Sequence, residues 1–392
     1  VTSIAWFLVS LPAVLAIYGY VVYPLVLWLG ARGKRAEAPP PESWPTVSIV
    51  IPAYNEEAQI RGAIEALLAQ DYPAERRQIL VLSDASTDDT DRIVSEYAGQ
   101  GVELLRMPTR SGKTAAENAS CALLRGDIVV NSDASIRLRP SAVRHLVRAM
   151  ADPRVGVASG RDVSVAVGEV TANATEAGYV GYEMWVRALE TRLGGIVGAS
   201  GSGYAIRTEL HKIPIRDDLS RDFSAALTAR RHGFEAVSVD DALCVVPRTA
   251  SLGREYRRKV RTISRGMETL IYQRQLLDPL RYGLFAWKLF SHKMCRWLLP
   301  LSVVPGLVGL VWLRPTHPWA LALLAAFALG LVLAAAGALW PASRPTPRLL
   351  SIAAFGVAAN VAVVHATWRV VYGHEDHIWE PTRRASAPLA GQ

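Results

Sequence analysis

The 392-residue chain reads as an α/β protein, in which a domain built on a mostly parallel sheet is held between helical membrane spans. Two observations carry this. Residues 1–30 contain no Asp, Glu, Lys or Arg and further apolar runs crowd the C-terminal quarter, whereas residues 32–296 have the charge density of a soluble domain. Within that middle stretch, short β-branched runs alternate with segments of helical periodicity, the pattern of crossover units.

The first apolar run, Ile4 to Gly30, has 27 residues, where ~20 cross a bilayer. A signal peptide would have an apolar core of only ~7–15 residues after a positive charge. Here Arg32, Lys34 and Arg35 follow the run, so a retained anchor is expected, with the next residues on the cytoplasmic side. Residues 31–46, containing the Pro-rich APPPESWP, form a linker to the domain at 47–250. Basic interfacial helices are expected at 251–296, three spans at 297–372 and a tail at 373–392. The three runs are Trp297–Leu313, Trp319–Trp340 and Leu349–Trp368, with tryptophans suited to the interface at their ends. The first is short and carries Pro300 and Pro305, which suits a kinked or re-entrant segment. Arg344 and Arg348 place the last loop in the cytoplasm, so counting puts both termini outside. A multi-pass protein of the inner membrane, with residues 47–250 cytoplasmic, is the expectation.

Composition narrows the classes. The net charge of +8 gathers beside the apolar runs, which fits anionic lipid rather than nucleic acid. Cys121, Cys244 and Cys295 are odd in number and far apart, without a CxxC pair. They form neither a disulfide framework nor a zinc site and suit a reducing compartment.

In the middle domain, VSIVI (47–51) suits a buried strand. Asn55 is placed to cap a helix with Glu56 and Glu57 in its first turn and Ile60, Ile64, Leu67 and Leu68 on one face. ILVLS (79–83) is a second strand. Ser86 or Thr87 is placed to cap the next helix, with Asp88 and Asp89 near its positive end. VELLR (102–106), DIVVN (127–131) and VGVAS (155–159) are further strands. Such sheets bind ligands at the carboxyl ends of their strands.

Acidic residues stand there. Asp84 ends the second strand and Asp133 the fourth, while Asp222 lies ahead of a helix in SRDFSAALTARRHG. Singly each suits a cap or a loop carboxylate; together they suit one cleft. A nucleotide diphosphate needs a partner for its base and neutralised phosphates, and transfer of its sugar needs a base for the acceptor hydroxyl. Asp84, Asp133 and Asp222 supply a nucleobase partner, a metal ligand and a general base. Lys113 and the run Arg257, Arg258, Lys259, Arg261, Arg265 supply positive charge, although the run equally suits a lipid-facing surface. SGKT (111–114) is no P-loop, since Met107 stands where its first Gly belongs. Gly198, Gly201 and Gly203 of VGASGSGY suit either a turn or close backbone approach to a ligand.

At VSIVIPAYNEE, LSDASTDDT, GKTAAEN, VVNSDAS, GASGSGYAIR, SRDFSAALTARRHG, YRRKVRT and SHKMCRWLLP, the chain resembles the processive family-2 glycosyltransferases, the cellulose, hyaluronan and poly-N-acetylglucosamine synthases. The resemblance covers about Val47 to Pro300. It implies a GT-A (Rossmann-like) fold, a UDP-sugar donor, Mg²⁺ or Mn²⁺, and inversion at the anomeric carbon. Carried over, Ala53, Tyr54, Glu56 and Asp84 line the uridine pocket, and Lys113, Arg258 and Arg261 face the diphosphate. Gly201, Ser202 and Gly203 face the acceptor, Asp133 and Ser135 the metal, and Asp222 is the catalytic base. Two positions depart from the pattern. Ser135 replaces the second acid of the metal motif, so metal is expected to bind mainly with the nucleotide. The Gln-x-x-Arg-Trp segment gives way to Arg-Arg-Lys-Val-Arg-Thr-Ile, which leaves processivity open.

The implied activity is sugar transfer from a UDP-sugar to a growing polysaccharide at the cytoplasmic face. Two alternatives stand beside it: transfer of one sugar to a membrane lipid, and a non-catalytic nucleotide-binding partner of a synthase. The partners are a UDP-sugar, a carbohydrate or lipid-linked acceptor and the bilayer, with no nucleic acid. Four spans are few for a polymer pore, so export would need a homo-oligomer or another protein. The orientation is testable: with native cysteines removed, single cysteines at Glu37 and Ser343 should resist an impermeant thiol reagent in intact cells. Labelling of either would overturn it.

Overall fold

The computed structural model describes residues 2–31, 41, 43–165, 174–247, 252–341, 344 and 346–373. Arg32, Lys34, Arg35, Glu37, Ser343 and the tail beyond 373 lie outside the described residues. Eight strands form one sheet: β1 (Val47–Ala53), β2 (Arg77–Ser83), β3 (Val102–Arg106), β4 (Ile128–Ser132), β5 (Arg137–Leu138), β6 (Val155–Val165), β7 (Gly203–Arg207) and β8 (Glu235–Pro247). Their order is β3-β2-β1-β4-β7-β6-β8-β5. The first four are parallel, and β7 runs antiparallel between β4 and β6. The sheet is therefore mixed, its parallel half being the part with crossover connections.

All five expected runs are strands. Alternation along β1 explains why it is buried on both faces. Ile49 and Ile51 pack with Ile60, Ile64 and Leu67 on one side, and Val50 with Leu80, Val129 and Ala225 on the other. Both expected caps differ from the structure. The first helix of the domain starts at Ile60 after Gln59. Asn55, in the left-handed region at φ 52°, instead accepts the Thr87 N–H at 2.8 Å and ties two loops. The next helix starts at Thr90, whose N–H donates to Asp88 at 3.0 Å rather than to Ser86 or Thr87. In both cases the loop reaches further before helical geometry begins.

Among the described residues, four helices are long and apolar enough to cross a membrane: Thr2–Gly30, Leu284–Leu313, Pro318–Ala338 and Arg348–Val371. The 297–313 run is the second half of a longer helix, so Pro300 and Pro305 sit inside a continuous segment. The basic Leu252–Tyr272 helix packs Val260 against Ala362 and Ala366 of the last span.

Buried polar contacts join these spans to the domain through the Ala174–Arg192 helix. Glu190, fully buried, accepts from the Tyr23 hydroxyl and pairs with His292 Nδ1 at 2.6 Å. Glu183 pairs with His292 Nε2 and with Arg296 Nη1, the latter at 2.5 Å. Lys288 Nζ donates to the carbonyls of Leu193, at 3.0 Å, and Gly195. Burial alone would raise both carboxyls; beside His292 and Arg296, Glu183 is held well below the usual carboxylate range, and His292 lowers Glu190.

A depressed folded-state pKa stabilises above the unfolded value, ~4.3 for Glu, and that contribution is lost as pH falls through the lower folded value. Glu183→Gln should therefore destabilise the protein at pH 7 by about 3 kcal/mol, because Arg296 stays buried without its carboxylate. The gap in thermal midpoint between the two proteins should close as pH drops below the carboxylate range. A gap independent of pH would contradict the ionised junction.

Candidate active site

A polar cleft of about 330 Å³ opens where β1 and β4 end. Asp133 follows β4, and its Oδ1 accepts from Lys113 Nζ at 2.5 Å. Lys113 begins the Lys113–Ser120 helix after Gly112, whose φ of 93° favours glycine. That turn aims the Ser111 and Gly112 N–H groups at Asp84 Oδ1 and Oδ2, at 2.7 and 2.8 Å. Asp84 is 1% exposed, so it holds the loop that presents Lys113. Its own N–H donates to the Ala53 carbonyl at 2.9 Å. Tyr54 lies 3.8 Å below the Arg110 guanidinium.

Of the residues singled out in the sequence, Glu56, Lys113, Asp133, Ser135, Gly201, Ser202, Asp222, Arg258 and Arg261 line the cleft. Ala53, Tyr54, Asp84 and Gly203 stand behind it. Gly203 opens β7 beside β4.

Asp222 sits in the first turn of the Arg221–Arg231 helix. Its Oδ1 accepts from the Ser220 hydroxyl and from the Phe223 N–H at 2.9 Å. A Cβ at Gly201 would lie 2.7 Å from Asp222 Oδ2. The close approach at Gly201 is thus to the Asp222 side chain, which a larger residue would have to displace. Above the cleft, the Leu252–Tyr272 helix turns Arg258, Arg261 and Arg265 inward, three and four residues apart on one face. Arg258 also pairs with Glu255 at 2.6 Å.

Sequence reasoning missed Glu117 and Arg221. Glu117 is fully buried one turn after Lys113, with Arg221 Nε 3.7 Å from its Oε2. Burial pushes the Glu117 carboxyl up against the opposing pull of Lys113 and Arg221. Burial would likewise lower Lys113, but Asp133, Glu117 and Asp222 outweigh it and raise its pKa. The i,i+4 spacing of Lys113 and Glu117 was the available signal. Asp162, which accepts from Ser200 Oγ at 2.7 Å, was missed because it lies within β6.

Among the described residues no three His, Cys, Asp or Glu side chains form a metal cluster. Asp133 and Ser135 bring one carboxylate and one hydroxyl to the cleft. These hard donors fit a divalent ion whose other positions are filled by phosphate oxygens and water.

A second cavity, of about 490 Å³, meets the cleft at Ser220, Asp222, Arg258 and Thr262. It extends to Trp297 and Pro300 on one membrane helix and to Phe355 and Val363 on another.

Residues 48–212 match the glycosyl transferase family 2 model, so the chain carries a domain of that family. The N-acetylglucosaminyltransferase of Rhizobium sp. (strain N33) is 26% identical over 302 residues, 70% of this chain and 64% of that protein. The beta-monoglucosyldiacylglycerol synthase of Nostoc sp. (strain PCC 7120 / SAG 25.82 / UTEX 2576) is 27% identical over 228 residues, 55% of this chain and 47% of that one. The chain thus spans less than two thirds of either relative. The structure of the mannosyltransferase PcManGT from Pyrobaculum calidifontis, in complex with GDP-Man and Mn²⁺, superimposes with a TM-score of 0.70 at 20% identity, covering 94% of this chain and 100% of that one. The GT-A fold and the glycosyltransferase class implied by the resemblance are borne out. The relatives do not single out the processive group, since one is named for transfer to a lipid.

Gly201→Ala should push the Asp222 carboxylate from its place. A misplacement near 1 Å costs about 10²-fold in rate, with nucleotide affinity retained. Undiminished turnover in the purified variant would show that the close approach is dispensable.

Proposed function

We propose that the protein is an inverting glycosyltransferase that moves a single sugar from a UDP-sugar to a hydroxyl of a membrane-embedded acceptor, at the cytoplasmic face of the inner membrane. The observation that carries this reading is the position of Asp222, which lines both cavities. A donor in the polar cleft and an acceptor from the bilayer side would meet there.

The donor diphosphate lies against Lys113, Arg258 and Arg261, with Ala53, Tyr54 and Glu56 towards its base. Asp84 acts by fixing the Ser111–Gly112 loop. Asp133 and Ser135, together with the phosphates, would hold Mg²⁺ or Mn²⁺, which would supply positive charge for the leaving diphosphate. Lys113 would turn from Asp133 to the phosphates, leaving that carboxylate available to a divalent ion. Asp222 takes the proton of the acceptor hydroxyl as its oxygen bonds to the anomeric carbon. The bond from that carbon to the diphosphate breaks with its electron pair on the leaving group. The Gly201–Ser202–Gly203 turn confines the acceptor beside Asp222.

A growing polysaccharide, the acceptor that the sequence resemblance implies, is the second reading; the Rhizobium relative is named only for the transfer of N-acetylglucosamine. The membrane-side cavity, with Phe355 and Val363 at its apolar end, favours the lipid.

The test is incubation of the purified full chain with labelled UDP- and GDP-sugars, a membrane lipid extract and Mg²⁺ or Mn²⁺. A single-sugar product extractable into organic solvent, with release of free UDP, is expected. Asp222→Asn should lower the rate about 10²–10⁴-fold while UDP still binds. A water-soluble polymer would restore the polysaccharide reading, and near-normal turnover of the variant would remove Asp222 from the mechanism. Nucleotide binding with no release at all would leave a non-catalytic partner.

A further inference from the structure

The membrane-side cavity has a charge pattern that a neutral acceptor would leave unused. Its walls carry Arg258, Lys259, Lys293 and Arg296 against two carboxylates, Glu183 and Asp222, with His292 beside them. Arg258 and Lys259 share Glu255, at 2.6 and 3.5 Å. Both Glu183 oxygens are taken by His292 and Arg296. Among the described residues Lys293 has neither a hydrogen bond nor an ion pair; its ring contact is Phe223, centred 5.5 Å from Nζ. Arg296 is 8% exposed and its guanidinium faces the Tyr20 and Tyr182 rings, at 5.2 and 5.6 Å, with Tyr179 nearby; its Nε and Nη2 are nevertheless buried without a hydrogen bond of good geometry among the described residues. Buried N–H donors such as these of Arg296 are costly unless a ligand satisfies them, and Lys293 beside them is half-buried, with Glu183 and Glu190 acting on it only at longer range.

Their placement is ordered. Phe223 adjoins Asp222, so Lys293 stands next to the reacting end of the cavity. Arg296, Trp297 and Pro300 follow on the same helix face, and Pro300 is seven residues on, roughly 10 Å along the axis. Phe355 and Val363 complete the apolar end. From Asp222 outward the wall presents a base, then cations, then hydrocarbon.

Building on the lipid-acceptor reading above, we infer that this cavity recognises a phosphate. The acceptor is a phospholipid-type amphiphile whose hydroxylated head lies beyond a phosphodiester. Its head reaches Asp222, its phosphate pairs with Lys293 and the unused N–H groups of Arg296, and its chains follow Trp297 and Pro300 into the bilayer.

The test is equilibrium binding to the purified full chain in neutral detergent without nucleotide sugar, so that it does not depend on transfer. The probes are labelled phosphatidylglycerol and a diacylglycerol with the same acyl chains. Phosphatidylglycerol should bind about tenfold or more tightly, the worth of one charge-assisted hydrogen bond. Lys293→Gln should abolish that preference and Lys293→Arg should keep it, both with wild-type affinity for UDP. Equal binding of the two lipids to the wild type overturns the inference whatever the variants do. So does a preference that survives Lys293→Gln, or a loss of UDP affinity, which would move Lys293 to the donor side. Glycerol 3-phosphate and inorganic phosphate should compete only weakly; competition as strong as that of the lipid would make this a site for free anions. Sugar transfer to a neutral lipid without phosphate preference would sink this inference alone, whereas a water-soluble polymer would sink the acceptor reading beneath it.

Discussion

His292 sits between two carboxylates, and the arrangement of the molecule depends on that contact. Glu183 and Glu190 project from one helix of the catalytic domain, and Tyr23 and Arg296 reach them from two different membrane helices. Away from water, such a network is strong when complete and costly when any member is missing. It therefore acts as a registration device. The first span, the 284–313 helix and the sheet can take only the relative positions that satisfy every member. The floor of the membrane-side cavity follows from this, since Glu183, His292 and Arg296 are among its walls.

The donor cleft uses charge differently. Lys113 is held amid Asp133, Glu117 and Asp222, and its strongest contact is the carboxylate expected to hold a metal. In the site as it stands, Asp133 is paired with the chain's own Lys113. An incoming diphosphate competes for that lysine on the same side as the arginines of the Leu252–Tyr272 helix. On the proposed reading, this exchange would let a site with Ser135 in place of a second acid accommodate a divalent ion. The phosphates bring the ligands that the protein does not.

Asp222 is where the two regimes meet. Its carboxylate is oriented by Ser220 and the Phe223 N–H and crowded by the backbone at Gly201. One side of it faces a polar cleft and the other a cavity that grows apolar towards the spans. On the proposed reading, the bilayer would be the entry route for an amphiphilic acceptor, while the aqueous face would admit the nucleotide.

Much of this was legible in the chain. Apolar runs without charge can only be buried in lipid or core, so the four long helices were visible from composition. β-branched runs such as VSIVI have few alternatives to a buried strand, so the parallel half of the sheet was visible too. Acids placed just after strands pointed to Asp84 and Asp133, because strand ends converge in such a fold, and Asp222 was marked by its place ahead of a helix. What the chain could not express was partnership between distant residues. Asn55 fitted a helix cap until Thr87 was brought beside it, and nothing local to Asp84 announced that it would hold the Ser111 and Gly112 amides of a distant loop. The 297–313 run looked short because Lys288, His292, Lys293 and Arg296 interrupt its hydropathy. Only the tertiary structure supplies the carbonyls and carboxylates that let Lys288, His292 and Arg296 sit inside a long helix. Periodicity and composition are local properties and are read locally. The pairing of buried charges is decided by which segments meet, and that is fixed only when the whole chain has packed.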